Sequence, residues 1–192
     1  MVMDYPHLRS HFIEEQLLRP WCDSHLRSQI VFLGAGLDIR AYRFKPLQLN
    51  YHVVFEIDFP IVFDFKKKIM RKKQPLCKVV RISADLIQSD WKSRLLNCGF
   101  SNDVPSFWIL EGLAYYLEKD EIISLITKAA ELSKKGSKIF IDISKDHKWG
   151  LDLLEITEIL AETGWKVSNS SENDQILNQN GMLFIQGIKK IQ

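Results

Sequence analysis

The residues of this sequence with the clearest chemical potential are the glycines and acids that close its short apolar runs. The first run, which ends at Leu33, is followed by Gly34 and Gly36. The acids that close the later runs are, in chain order, Glu56, Asp58, Asp85, Glu111 and Asp142. Glycine lets the backbone turn sharply and approach a ligand closely, and a carboxylate can accept hydrogen bonds from both hydroxyl groups of a ribose. The pattern therefore predicts a nucleoside site.

The turn Gly34-Ala35-Gly36 is a shortened form of the glycine-rich loop that binds dinucleotides. The third glycine of that loop is missing, because Leu37, Asp38 and Ile39 follow, and this disfavours a pyrophosphate. Asp38 would also repel a phosphate and attract a cationic group. S-Adenosylmethionine carries a sulfonium and an amine, so it fits the turn better than a phosphorylated nucleoside. The alternative is a tight strand-to-helix turn that binds nothing.

The elements that must position these residues alternate along the chain. Apolar runs are separated by stretches of helical periodicity, which is typical of parallel strands joined by right-handed crossover helices. Five such strands are predicted at residues 29–33, 51–58, 78–82, 105–110 and 138–143, and a terminal pair at 165–167 and 182–188 is joined by a hairpin loop at 168–181. The sequence thus predicts an α/β, doubly wound, Rossmann-like fold with a mostly parallel sheet and an antiparallel terminal strand. Ligands of such sheets bind beyond the carboxyl ends of the strands.

A single domain is expected from the length of 192 residues. Residues 1–28 are predicted to be an N-terminal helical segment, with a helix over 11–19 that Pro20 ends, and residues 29–192 the Rossmann-like core. The basic run at 66–73 is predicted to lie on a solvated surface at the end of a helix, where cations are favoured, rather than to bind nucleic acid or an anionic surface.

Composition narrows the classes of partner. The net charge of +2 gives no electrostatic argument for nucleic acid, and no apolar run approaches the roughly 20 residues needed to span a bilayer. The N-terminus lacks the apolar core of a secretory signal, so a cytoplasmic protein without membrane or nucleic-acid partners is expected. The three cysteines are predicted to be reduced thiols, and neither they nor the five histidines form a metal or catalytic constellation.

Four segments of the chain together resemble the leucine carboxyl methyltransferase-like family of S-adenosylmethionine-dependent O-methyltransferases. They are the residues 34–43 (GAGLDIRAYR), 55–60 (FEIDFP), 84–86 (ADL) and 108–117 (WILEGLAYYL). The resemblance covers roughly residues 8–145 and implies a class I methyltransferase fold. The residues that it implies as contacts of S-adenosylmethionine are, from the methionine carboxylate and amine to the adenine, Arg9, Glu111, the turn of Gly34, Ala35 and Gly36, then Asp58, and lastly Asp85 with Leu86.

These assignments have alternatives. Asp58, the proposed ribose ligand, lies 22 positions after Gly36, close to the spacing of about 20 expected for such an acid, but Asp58 and Asp85 could instead be helix N-caps. Glu111 could pair structurally with Arg40 or Arg43. Arg9, which the resemblance pairs with the cofactor carboxylate, could otherwise be a solvated charge.

The predicted reaction is methyl transfer to an oxygen, most simply a carboxylate on a protein or a small molecule. A carboxylate is already ionised at neutral pH and needs no general base, so catalysis would come from alignment and exclusion of water. No catalytic side chain is assigned, and Tyr115 is expected only as a pocket wall.

One region departs from the family pattern. The family usually inserts helices after the fifth strand, whereas only residues 144–150 fill that position here. The acceptor pocket is therefore expected to be open, completed by an oligomeric partner, or lost. A protein that binds S-adenosylmethionine without transfer is the alternative, and a nicotinamide-dependent oxidoreductase is a further one that the missing glycine disfavours.

Overall fold

The computed structural model describes residues 5–88, 90–144, 151–170 and 182–190. Within these ranges one sheet of seven strands runs in the order β3-β2-β1-β4-β5-β7-β6. The strands are β1 Arg27–Leu33, β2 Tyr51–Asp58, β3 Lys78–Ser83, β4 Ser106–Leu110, β5 Lys138–Ser144, β6 Trp165–Ser170 and β7 Met182–Lys189. Neighbours from β3 to β5 are parallel, and β7 is antiparallel to both β5 and β6. The predicted doubly wound fold is confirmed.

Helices cover both faces of the sheet because the central strands are apolar on both faces. They are α1 Tyr5–His11, a π-helical segment Phe12–Leu18, α2 Arg19–Ser24, α3 Arg40–Arg43, α4 Pro60–Ile69, α5 Trp91–Asn97, α6 Lys119–Glu131 and α7 Leu153–Glu162, with 3-10 turns at Lys45–Gln48 and Ala114–Tyr116. On β1, Val31 and Leu33 enter the core beneath α5, α6 and α7. Ile30 and Phe32 enter the core beneath the N-terminal helices and α3. Among the described residues, none of the helices combines the length and apolar character required to cross a membrane.

The N-terminal segment is one helical run from Tyr5 to Ser24, so the prediction that Pro20 ends a helix is wrong. Pro20 is the second residue of α2, directly after the π-helical segment, and the irregular hydrogen bonding at this junction accommodates a residue without a backbone N–H. The run packs Ile13, Leu17 and Trp21 against the sheet, which brings its first turns to the carboxyl edge.

Two other sequence predictions need correction. The strand β6 continues to Ser170, so the hairpin loop cannot begin at 168, and residues 171–181 lie outside the described residues, as do 145–150 of the shortened region. The basic run is not wholly solvated, because Lys66 is buried and donates to the buried Glu56 at 2.8 Å. The side chain of Lys66 points toward the sheet because it shares the inner side of α4 with Phe63.

Candidate functional site

Two cavities lie beyond the carboxyl ends of β1 to β4 and meet at Gly34. The larger, of about 450 Å³, is lined by charged side chains that include Arg9, Arg40 and Glu111. The smaller, of about 200 Å³, has apolar walls at Leu86 and Leu113 and is also lined by Asp58 and Asp85. The sheet winds outward in opposite directions from β1 and β4, so the cleft lies at the topological switch point where ligands bind in such folds.

Gly34 lines both cavities, and its backbone leaves little room for a side chain. Its φ is +70°, in the left-handed region that favours glycine, and an added Cβ would lie 3.2 Å from Cδ1 of Leu113. The backbone N–H groups of Gly34 and Ala35 both donate to the carbonyl of Ile57 at 2.9 and 3.1 Å. The turn is therefore fastened to the end of β2 and brought close to the carboxylate that ends this strand.

Asp58 supports the glycine turn directly. Its Oδ2 accepts from the N–H of Gly36 at 2.6 Å, and its Oδ1 accepts from the N–H of Phe59 at 2.7 Å. Asp58 is not a helix N-cap, because that position of α4 is Phe59, without a side-chain bond. Each carboxylate oxygen has a second lone pair, so Asp58 retains acceptor capacity toward the smaller cavity.

Asp85 and Leu86 follow β3 at the far wall of the smaller cavity. Oδ1 of Asp85 accepts from the N–H of Ile87 at 2.8 Å. This bond closes a local turn and does not cap α5, which begins at Trp91 after Asp90. Leu86 is buried and supplies apolar surface beside the carboxylate, as an adenine would require.

Arg9 connects the N-terminal helix to the ends of two strands. Its Nε donates to Oε1 of Glu111 at 2.9 Å, and its Nη1 donates to Oδ2 of Asp142 at 2.8 Å and to the hydroxyl of Tyr115 at 3.2 Å. The other oxygen of Asp142, Oδ1, accepts from the N–H of Gly112 at 2.7 Å. Asp142 is fully buried and so fixes both Arg9 and the loop after β4. Arg9 is not a solvated charge.

Arg40 forms a second set of ion pairs in the larger cavity. Its Nη1 donates to Oε2 of Glu111 at 2.6 Å and to Asp38, and its Nε donates to Oε1 of Glu14 at 3.1 Å. Arg43 also donates to Glu14, at 2.8 Å. Burial alone would lower the pKa of Arg40, but Asp38 and Glu111 outweigh burial and raise it. Asp38 is therefore paired with a cation of its own chain. The sequence argument that an unpaired Asp38 attracts a cationic group of the ligand does not hold.

The structure thus joins all predicted cofactor residues in one cleft, with the methionine and adenosine sets in adjoining cavities. It adds Glu14, Arg40 and Asp142, which the sequence reasoning did not assign to the site. Asp142 carried a signal, since it closes the fifth apolar run. Glu14 carried a weaker one, since it is an acid within a stretch whose neighbours Ile13 and Leu17 are buried.

The titratable groups of the larger cavity are arginines, carboxylates and tyrosines. Burial raises the pKa of Tyr115, and the nearby Asp142 raises it further, which makes its hydroxyl a poor proton acceptor at neutral pH. Over the part of the chain that is described, no cluster of three histidine, cysteine or acidic side chains could hold a metal ion.

Comparison with known proteins assigns the chain to a family. The family described as leucine carboxyl methyltransferase matches residues 1–130 of the chain. The chain belongs to the leucine carboxyl methyltransferase family. One curated relative is a protein of Saccharopolyspora erythraea that is named as a candidate S-adenosyl-L-methionine-dependent methyltransferase. It is 32% identical to this chain, and the match covers 89% of the chain and 67% of the relative. Two further relatives are covered over only 46% and 63% of their length, so the chain spans about two thirds or less of these proteins.

Solved structures share the fold of this family member. A TehB-like S-adenosylmethionine-dependent methyltransferase of Corynebacterium glutamicum has a TM-score of 0.63 and 14% identity, with 96% of this chain and 95% of that chain covered. The magnesium protoporphyrin IX methyltransferase of Synechocystis, solved with bound S-adenosylmethionine, has a TM-score of 0.63 and 12% identity over 96% and 80% of the two chains. The Rossmann-like class I methyltransferase fold is confirmed, and S-adenosylmethionine is the cofactor of this fold and family.

The cleft fits that cofactor by its own chemistry. One cavity offers cations and carboxylates for a zwitterionic methionine group, and the other offers carboxylates and apolar walls for an adenosine. Gly34 lines both cavities, and a side chain at that position would come close to Leu113.

Proposed function

We propose that the chain is an S-adenosylmethionine-dependent O-methyltransferase whose acceptor oxygen belongs to a carboxylate, on a protein or on a small molecule. The observation that carries the proposal is the pair of cavities joined at Gly34, one charged and one apolar with two carboxylates. Family membership supports the same reading.

Binding is assigned to the residues already predicted. Arg9 would hold the cofactor's carboxylate with a charge-assisted bond, and Glu111 would accept from its amino group. Gly34, Ala35 and Gly36 would line the methionine chain. Asp58 would accept from the ribose hydroxyls, and Asp85 with Leu86 would contact the adenine.

S-Adenosylmethionine supplies an activated methyl group on a sulfonium. The protein's contribution is then to hold the cofactor rigidly and to keep water from the transferred group. Asp142 holds Arg9 and Gly112, and Asp58 holds the turn at Gly36, so hydrogen bonds within the chain fix the cleft walls before any ligand binds.

A carboxylate acceptor agrees with the side chains of the larger cavity. Its described carboxylates Asp38 and Glu111 are ion-paired with arginines, and the pKa of Tyr115 is raised. None of these groups is placed to remove a proton from an alcohol or a phenol. An acceptor that is already ionised requires no such step.

We further propose that residues 1–192 form one domain with a shortened cover after β5. The two cores lie on opposite faces of one sheet, which favours a single folding unit. The acceptor pocket is open, completed by an oligomeric partner, or lost, and these three possibilities differ in whether the protein transfers a methyl group. We also propose a cytoplasmic location without a nucleic-acid partner.

Calorimetry with S-adenosylmethionine, S-adenosylhomocysteine and NAD tests the cofactor. We expect the first two to bind and NAD not to bind. An Arg9→Met variant should bind the cofactor more weakly by one to two orders of magnitude, because it removes a charge-assisted contact. Failure of both adenosyl compounds to bind would end the methyltransferase proposal, and binding of NAD would revive the oxidoreductase.

Transfer is tested with methyl-labelled S-adenosylmethionine and a panel of carboxylic acids and peptide C-termini. A methyl ester releases volatile methanol in alkali, whereas a methyl ether or amine does not, so the acceptor atom is identified with the activity. Cofactor binding without turnover on any acceptor would instead favour a protein that binds S-adenosylmethionine and does not transfer its methyl group.

A further inference from the structure

One flank of α4 carries large apolar side chains that nothing in the described chain covers. Phe59 precedes the helix, and Ile61, Phe65 and Ile69 follow at intervals of four residues along it. Their exposed fractions are 50, 77, 52 and 50%, respectively. We call these four residues the apolar flank. Ile61, Phe65 and Ile69 lie along one side of the helix because side chains four residues apart are neighbours on its surface. Grouped exposed apolar side chains mark an interaction site more often than solitary ones do.

The far end of the same helix is strongly cationic. The exposed cations of residues 59–73 are Lys67, Lys68, Arg71, Lys72 and Lys73, and the only acid in this stretch is Asp64. In the described residues no carboxylate lies within ion-pair distance of these five cations. They contrast with Lys66, whose charge is matched inside the fold by Glu56.

Two simpler explanations each account for only one property of this surface, either its cations or its exposed apolar side chains. Cations near a helix C-terminus are favoured by the helix dipole, but the dipole gives no reason to expose isoleucine and phenylalanine. Apolar residues on a helix usually pack on the core, but the core-facing side of α4 is formed by Phe63 and Lys66. A partner that is both apolar and anionic satisfies the two halves together.

We propose that α4 and the turn that follows it form a peripheral contact for an anionic phospholipid surface. The apolar flank enters the boundary between headgroups and acyl chains, and the cations meet the lipid phosphates. The apolar residues extend along the whole helix, so the helix lies in the plane of the interface. This inference does not depend on the methyl acceptor.

The helix is already fixed in a suitable position. Lys66 donates to Glu56 of β2 at 2.8 Å, which holds the inner side of α4 against the sheet. Arg81 of β3 donates to the other oxygen of Glu56 at 2.9 Å and lies over the ring of Phe63 in α4. Binding therefore needs no unfolding. Phe59 belongs both to the apolar flank and to the wall of the smaller cavity, so the cofactor cleft would open beside the lipid surface.

Vesicle sedimentation tests the proposal with the full chain. The vesicles are pure phosphatidylcholine or a three-to-one mixture of phosphatidylcholine and phosphatidylglycerol, at about 0.1 M salt where screening is moderate. We expect binding to the mixed vesicles alone. Ile61→Ser with Phe65→Ser should lower the partition coefficient by at least about tenfold, and each of Lys68→Gln, Lys72→Gln and Lys73→Gln by about fivefold.

The matched control is Leu26→Ser with Leu154→Ser, which removes two exposed apolar side chains elsewhere and should leave vesicle binding unchanged. Calorimetry with S-adenosylmethionine reports that each variant is folded. Absence of binding to the anionic vesicles overturns the proposal. Vesicle binding that survives the Ile61→Ser and Phe65→Ser substitutions also overturns the proposal, because it would indicate a nonspecific site for polyanions. RNA would compete with the vesicles for such a site.

Discussion

The charged side chains of the larger cavity are arranged as partners of one another. Glu111 accepts from both Arg9 and Arg40, and Glu14 accepts from both Arg40 and Arg43. Buried charges are costly unless they are paired, so these bonds fix the side chains in place before a ligand enters. A ligand with one ammonium and one carboxylate can join such an alternating cluster with little movement of the protein.

Asp142→Asn tests a strand-end acid that the sequence analysis noted but did not assign as a cofactor contact. The asparagine oxygen can still accept from Gly112, but the negative charge opposite Arg9 is lost. We expect the free energy of unfolding to fall by about 3 kcal/mol, since one member of a buried pair is removed, and cofactor binding to weaken by about tenfold or more. Denaturant unfolding and calorimetry measure the two effects.

The comparison for Asp142 is Glu131→Gln, which breaks the exposed pair with Lys92. Exposed pairs contribute little, so this variant should leave both measurements unchanged. Equal effects of the two substitutions would contradict the role given to Asp142.

Gly34→Ala tests the glycine that lines both cavities, with Gly36→Ala as the control. Both glycines have positive φ, +70° and +48°, so each alanine costs about 1–2 kcal/mol of backbone strain. Only at Gly34 does the new Cβ also meet Leu113, at 3.2 Å, whereas nothing lies within 4 Å at Gly36. Calorimetry should show a larger loss of cofactor affinity for Gly34→Ala, and equal losses would mean that the contact with Leu113 is unimportant.

At the scale of elements, α4 joins a buried ion pair on one side to the exposed apolar flank on the other. Lys66→Met leaves Glu56 buried with only Arg81 as a partner. The free energy of unfolding should fall by about 3–5 kcal/mol, because an incompletely compensated buried charge remains. Lys68→Met, two residues later on the exposed side, should change it by less than about 0.5 kcal/mol. A urea titration of both variants decides the matter, and similar stabilities would refute the buried pair.

A second group of elements meets at the amino ends of the strands. The indole N–H of Trp21 in α2 donates to Oγ of Ser28 in β1 at 2.9 Å, and this hydroxyl lies 2.9 Å from Nδ1 of His52 in β2. Ser28 can donate to Nδ1 of a neutral His52, whose buried Nε2 then has no hydrogen-bond partner among the described residues. Burial is the main cause that lowers the pKa of His52 below its ordinary value.

Stability should therefore depend on pH through His52. A lowered pKa in the folded state means that the unfolded chain binds more protons, so stability is fully present above the unfolded pKa of about 6.5 and is lost as the pH falls below it. The loss is at most about 1.4 kcal/mol per pH unit for one group. Thermal unfolding between pH 7.5 and 5 should show it, and His52→Asn should flatten the dependence. An unchanged slope in that variant would exclude His52 as its source.

For the whole molecule, the cleft exists only when the sheet is assembled, so the cofactor should bind the folded state alone. A ligand present at 100 times its Kd then stabilises by about 2.7 kcal/mol. For a chain of this size, Tm should rise by about 5–10 °C. Differential scanning calorimetry with S-adenosylhomocysteine measures the shift, with adenosine as a weaker control. A constant Tm at saturating ligand would contradict selective binding to the folded state.

The family and the succession of strands and helices along the chain were both accessible from the sequence. Buried parallel strands read as apolar runs, and the glycines and acids that close them are adjacent to those runs in the chain. The positions of Gly34, Asp58, Asp85 and Glu111 at one edge of the sheet follow, because parallel strands bring their carboxyl ends to the same side. The short motifs around them indicated the cofactor class.

The tertiary structure decided which charge meets which. Arg9 and Asp142 are 133 positions apart, so no local pattern relates them. The sequence allowed Glu111 to pair with Arg40 or Arg43, and only the structure shows that its partner is Arg40. Burial of Lys66 depended on how α4 lies over Glu56, although its neighbours in the basic run are solvated. Hydrophobic periodicity specifies where the backbone elements form, because burial repeats along each element. The partner of a charged side chain is specified by the packing of elements that are distant in the chain. This packing brings the strand-end acids together around one cleft.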